Sequence, residues 1–334
     1  MPLLIPSSVL IAIASLIALA SQAQPVLAAP VQVKNTRRLT FPKQFSLGTI
    51  YYYLSAKETD HTLSCDQMHG PPAKKLGEAR GVVMVPATKN THLYLFPSYE
   101  LIAQPEALGS LDPDTFDCIC FAKKFVMEPA TKVVAQLGHL TGLRRLELDG
   151  AELSDKDVPP LKGLINLEYL NLSANALSGL TLKELTGLNK LYCLEISANK
   201  LEAPAFAAIS KFKNLQILRL NHCGVDDQAI VELAQLDALK DLQIRQAKIT
   251  KKSIPILTGM KNLTSVSLVG STLKVKDYAA FAGSKIKFIC LSDSQFSQSE
   301  LDIIKRSLPG VYLSITYNRK PVHGEDKQLF APLH

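Results

Sequence analysis

The chain has 334 residues, 47% of them apolar and 20% charged, which allows about two average domains and excludes an intrinsically disordered polymer. Its six cysteines are too few for a disulfide-dense scaffold. The net charge of +7 divides as 9 − 8 = +1 over residues 30–115 and 28 − 22 = +6 over 116–334, so no basic arm for nucleic acid is expected.

Met1 to Pro30 carries no charged side chain, and Val9 to Ala20 (VLIAIASLIALA) is apolar almost throughout. A run of about 12 is short for a membrane span and suits the core of a signal peptide. Ser21-Gln22-Ala23 and Val26-Leu27-Ala28 offer small or compact residues at usable cleavage spacing, although no Lys or Arg precedes the run. The reading is a signal peptide over 1–29 and a secreted, periplasmic or cell-envelope location. Membrane attachment follows only if the segment stays uncleaved.

Residues 30–115 show no period and read as an N-terminal cap. Ile50 to Leu54 (IYYYL) and Gly81 to Val85 (GVVMV) read as strands, the second turning through Pro86–Asn90 into His92 to Phe96 (HLYLF) as a hairpin. Leu93 and Leu95 look like a decayed first repeat. His61, Cys65 and His69, four apart each, would share one face of a helix and suit Zn²⁺. Gly70-Pro71-Pro72 follows at once and no fourth ligand is evident. A polar loop is the simpler account, and no cofactor is expected.

From residue 143 a unit of 24 recurs: LRRLELDGAEL (143–153), LEYLNLSANAL (167–177), LYCLEISANKL (191–201), LQILRLNHCGV (215–225), LKDLQIRQAKI (239–249) and LTSVSLVGSTL (263–273). A last copy, IKFICLSDSQF (286–296), comes one residue early, and FDCICFAKKFV (116–126) is a degenerate first one. Apolar columns at positions 19 and 22 of the unit, such as Leu161 and Leu164, are three apart, the spacing of one helical face. Ser154-Asp155-Lys156-Asp157, Asp226-Asp227 and Ser297-Gln298-Ser299-Glu300 are helix-start signals beside them.

The frame LxxLxLxxNxL resembles the leucine-rich repeat family, in its ribonuclease-inhibitor-like or bacterial branch. The resemblance implies an α/β solenoid: a curved parallel sheet on the concave face, short helices or turns on the convex face, and a small β-containing cap. It places the repeat domain at 116–317, the last strand at Val311 to Thr316, and a loose tail at 318–334. Copies must stack because one repeat cannot bury its apolar face alone. Position 9, Asn in the family pattern, is Asn175 and Asn199 but Cys223, Ala151, Ala247, Ser271 and Ser294 elsewhere, so an irregular ladder is expected.

The residues between the leucines would form an exposed, chemically mixed concave strip. Arg145, Glu147, Tyr169, Tyr192, Glu195, Arg219, Asn221 and Arg245 are its candidate ligand-binding residues, with Tyr169 and Tyr192 as an aromatic anchor. Glu147 and Glu195 lie two strands apart, about 10 Å, yet an ion pair of Glu195 with Arg219 is the simpler account. An open face raises no carboxyl pKa by burial, so no catalytic residue is assigned. At about 4.8 Å per strand the cysteines of different repeats are too far apart to bridge. Cys65 with Cys118 or Cys120 is left as the pair that could tie cap to solenoid. The reading is an exported, non-enzymatic protein that binds a protein or peptide on its concave face. The alternatives are an envelope glycan or peptidoglycan recognition module, and a metal- or redox-active N-terminal block carried by a repeat targeting arm.

Overall fold

The computed structural model describes residues 35–54, 73–121 and 130–316. Each LxL triplet folds as a short strand, because its alternate apolar side chains have a continuous core to enter. The parallel array runs β5 (Thr91–Pro97), β6 (Cys118–Cys120), β7 (Arg145–Glu147), β8 (Tyr169–Asn171), β9 (Cys193–Glu195), β10 (Ile217–Arg219), β11 (Asp241–Gln243), β12 (Ser265–Ser267), β13 (Phe288–Ser292) and β14 (Tyr312–Thr316). Register follows the frame: Arg145 pairs with Tyr169, Tyr169 with Cys193, Cys193 with Ile217 and Ile217 with Asp241. The inward leucines Leu146, Leu148, Leu170, Leu172, Leu218 and Leu220 are fully buried.

The N-terminal block seals the open end of this core, as a solenoid requires. β2 (Gly48–Leu54) pairs antiparallel with β5 on one side and with β3 (Lys74–Glu78) on the other. Leu93 and Leu95 are buried, and Tyr94 pairs in parallel with Cys118, one 24-residue step away. β5 therefore joins cap to repeats and serves as the first rung of the solenoid. The hairpin expected between 81–85 and 92–96 does not form. β4 (Val82–Pro86) pairs antiparallel with β1 (Thr36–Thr40) in a separate two-stranded ribbon. The reason is that both edges of β5 are already taken, by β2 and β6.

After each of β7 to β12 the backbone turns through a left-handed residue at position 8: Gly150, Ala174, Ala198, His222, Gln246 and Gly270, with φ between 54° and 70°. An L side chain there costs about 1–2 kcal/mol, so the turn relies on position 9 to hold it. Asn175 Oδ1 accepts from the backbone N–H groups of Ala151 and Leu153, and its Nδ2 donates to the carbonyls of Leu148, Leu172 and Ser173. Asn199 repeats the pattern against Leu177, Leu172, Ile196 and Ser197. The ladder is irregular, as the sequence implied. At Cys223 a thiol donates to the Ile196 carbonyl at 3.2 Å. Further on, the Gln295 amide accepts from Gly270 N–H and donates to the Ser271 carbonyl, taking over the asparagine role from the neighbouring position.

The convex side changes character along the chain. Asp155–Asp157, Pro159–Gly163, Leu182–Leu185 and Val275–Phe281 form 3₁₀ turns, and Ala203–Ile209, Asp227–Leu233 and Ser253–Gly259 form two-turn α-helices. Asp226 caps the second of these through Ala229 N–H, and Ser297 with Glu300 forms the expected capping box of helix Gln298–Ser307. Asp155 has an additional role, accepting from Ser178 and Gly179 of the next repeat. Asp227, at the same frame position, accepts from Thr250 and Ser253. Among the described residues, no helix is long and apolar enough to cross a membrane. The apolar run of residues 9–20 lies outside them.

Candidate functional site

Strand geometry sends positions 3 and 5 of every repeat to the concave face. On β7 to β10 these positions carry a continuous polar chain. Arg145 Nε donates to Glu147 Oε1 at 2.6 Å, within one strand. Its guanidinium lies over the Tyr169 ring of the next strand, 3.4 Å from the centroid. The Tyr169 hydroxyl donates to Glu195 Oε1 at 2.7 Å, and the same oxygen accepts from Arg219. Five of the eight candidate binding residues are thus brought together, but by binding one another.

The expected exposure of this half of the face is not what the fold produces. Arg145, Glu147 and Tyr169 are all more than nine-tenths buried, together with Tyr94, Cys118, Cys120 and Cys193 of the same columns. The long side chains lie across one another instead of standing up from the sheet, so each removes its neighbour from water. The expectation that no carboxyl pKa rises by burial is overturned for the same reason. Desolvation raises the Glu147 carboxyl despite the Arg145 charge beside it, and Glu168 is raised likewise against Arg144. Burial also pushes the Cys193 thiol up to about 12 and the Cys223 thiol to about 11, so both are inert packing groups.

Cys118, Cys193, Cys223 and Cys290 are free, and Cys120 is disulfide-bonded. Cys65, the other half of the expected pair, lies outside the described residues. The candidate metal trio His61, Cys65 and His69 also falls outside. Among the described residues no group of three or more His, Cys, Asp or Glu is placed to hold a metal.

Beyond β9 the face opens. Ile217, Arg219, Asp241, Gln243, Arg245, Phe288 and Cys290 are all half-buried. Arg245 has its Nε buried without a hydrogen-bond partner. Its backbone N–H is held by Asn221 Oδ1 at 2.9 Å, so the Asn221 side chain, itself a candidate, is occupied in positioning the next repeat. Phe288 stacks on Tyr312 with centroids 4.6 Å apart, and Tyr312 is 62% exposed. Tyr192 sits one residue ahead of β9, whereas Tyr169 pairs with Cys193. The two tyrosines occupy different columns of the sheet. Tyr312 escaped the sequence reading because Gly310 stands where its repeat should carry the first leucine.

Residues 140–201 match the leucine rich repeat family model. No curated protein sequence matches the chain. Among solved structures it is similar to internalin C2 of Listeria monocytogenes, at 25% identity over 52% of this chain and 68% of that one, with a TM-score of 0.39. It is also similar to internalin F of the same organism, at 19% identity over 65% and 64% of the two chains, with a TM-score of 0.46. The in-phase repeat, its parallel sheet and the model matched over residues 140–201 together identify the fold as a leucine-rich repeat solenoid.

Proposed function

We propose that the chain is an exported recognition protein, acting by binding and not by catalysis, and that its partner is a protein or peptide seated on the concave face. The contrast between the two halves of that face carries the reading. The half built on β7 to β9 is satisfied by its own ion pairs. The half built on β10 to β14 offers partly exposed Asp241, Gln243 and Arg245 beside the Phe288–Tyr312 stack. Aromatic and arginine side chains of this kind supply most of the energy of protein interfaces. Export is supported by the disulfide at Cys120, which persists in oxidising compartments, and by the uncharged apolar start of the chain. Binding and not catalysis is favoured because Glu147 is committed to Arg145 and Glu195 to Arg219.

The test is paired affinity capture from the source organism, followed by a measured Kd for the protein retained. The parent chain is one bait; the other carries Asp241→Lys and Arg245→Glu. A partner retained by the first and bound at least tenfold more weakly by the second is the expected result. Equal retention would move recognition to the cap or the convex side.

A further inference from the structure

The two ends of the twelve-stranded sheet are built differently. At one end lies β3, which carries Lys74, Lys75 and Glu78, contains Gly77, and pairs with β2 through a register shift between Ile50 and Tyr51. Charges and bulges of this sort block edge-to-edge pairing. At the other end lies β14, with no charged residue from Leu308 to Thr316 and no break in its five-residue register with β13. Among the described residues no strand pairs with its outer edge.

That edge is complementary to itself. The ladder to β13 uses Tyr312 N–H, which donates to Lys287 O, and Thr316 O, which accepts from Asp293 N–H. In a parallel ladder alternate residues face one neighbour, so the N–H and C=O groups of Leu313 and Ile315 point outward. Their side chains stand in the core columns, where Ile289 and Leu291 one strand earlier are fully buried. Leu313 and Ile315 are only half-buried, because nothing among the described residues stacks beyond them.

We propose that the outer edge of β14 pairs antiparallel with β14 of a second copy, about a two-fold axis at Ser314. In that register Leu313 of one copy exchanges both backbone hydrogen bonds with Ile315 of the other, and the reverse. Four hydrogen bonds form from groups that now face outward. Leu313 meets Ile315 on the core side, so two apolar ends close on each other, and Tyr312 meets Thr316 on the concave side. Ser314 faces its own copy as a non-hydrogen-bonded pair, with Cα atoms about 4.5 Å apart. The absence of charge along the edge leaves no repulsion between copies.

Sedimentation of the purified full chain over a concentration series tests this. The parent is expected to sediment as a concentration-dependent dimer. Ser314 stands on the concave side of β14, outside the core columns, so Ser314→Asp leaves the core intact while placing two carboxylates face to face. It is expected to weaken the dimer roughly fivefold or more at low salt. Ser314→Lys should do the same, and an equimolar mixture of the two variants should recover a heterodimer. A parent that stays monomeric would overturn the proposal and leave the edge to a strand from another source. A dimer unchanged by both charge variants, or a mixture that fails to recover, would place the interface elsewhere. None of these readouts depends on the concave-face ligand.

Discussion

The guanidinium of Arg145 lies 3.4 Å from the centre of the Tyr169 ring while Nε holds Glu147 Oε1 at 2.6 Å. One side chain thus ties two repeats together through an ion pair on its own strand and a cation–π contact on the next. Both faces of this arrangement are shielded from water, so the pair is strongly coupled. Replacing Arg145 by Met strands the Glu147 carboxylate and is expected to cost about 3–5 kcal/mol of unfolding free energy. Arg145→Met with Glu147→Leu should recover most of that loss, because a buried pair traded for apolar groups of similar size is close to neutral. Urea denaturation of the two variants decides it. Additive losses would mean that the pair is not buried as described.

Asn199 makes four hydrogen bonds to backbone groups of two repeats, three of them buried. Asn199→Ala leaves one N–H and up to three carbonyls short of a partner, and each orphan costs about 1–3 kcal/mol. A loss near 3 kcal/mol is expected in chemical denaturation, with amide exchange rising first at Leu177. A loss under 1 kcal/mol would show that water replaces the amide without penalty.

The left-handed residues at position 8 give a prediction of opposite signs. Ala198 has φ of 55° and an exposed side chain, so Ala198→Gly should raise the unfolding free energy by up to about 1 kcal/mol. Gly270 has φ of 70°, and a Cβ there would meet the Gln246 side-chain nitrogen at 2.3 Å. Gly270→Ala should destabilise. Thermal melts of the two single variants suffice, and a fall on Ala198→Gly would refute the strain argument.

Much of this architecture was legible in the sequence. The 24-residue frame fixes which residues turn inward, since Leu146, Leu170, Leu194 and Leu218 leave no second register that buries them all. The capping box at Ser297 was legible too, and Cys120 was one of two repeat cysteines left open to a bridge. The burial of Arg145, Glu147 and Tyr169 was not legible, because a frame position gives a side chain's direction and says nothing of what lies across it. The partner of Val82–Pro86 was missed for a related reason. Two β-prone runs close in sequence look like a hairpin until a third strand, Thr36–Thr40, claims one of them. The bridging roles of Asp155 and Asp227 were hidden behind their resemblance to ordinary helix caps.

Those two aspartates set an acid response. Burial opposes their charge, but hydrogen bonds outweigh it, from Ser178, Gly179 and Thr181 to Asp155 and from Ser253 and Thr250 to Asp227. Both carboxyls are held below the usual value. A depressed folded pKa contributes stability that is fully present above the unfolded value near 4 and is lost as pH falls through the folded pKa. Asp155→Asn and Asp227→Asn should therefore cost stability at pH 7 and progressively less below about pH 4. A pH series of denaturation midpoints checks this. A gap between parent and variant that stays constant down to pH 2 would contradict it.

Hydrogen–deuterium exchange on the complex with the captured partner reads out whether recognition belongs to the open half of the concave face. Added protection is expected across β10 to β14 and the turns after them, around Asp241, Arg245 and Phe288, with β7 and β8 unchanged. Protection confined to the ribbon of β1 and β4, or to the convex helices Ala203–Ile209 and Asp227–Leu233, would contradict it.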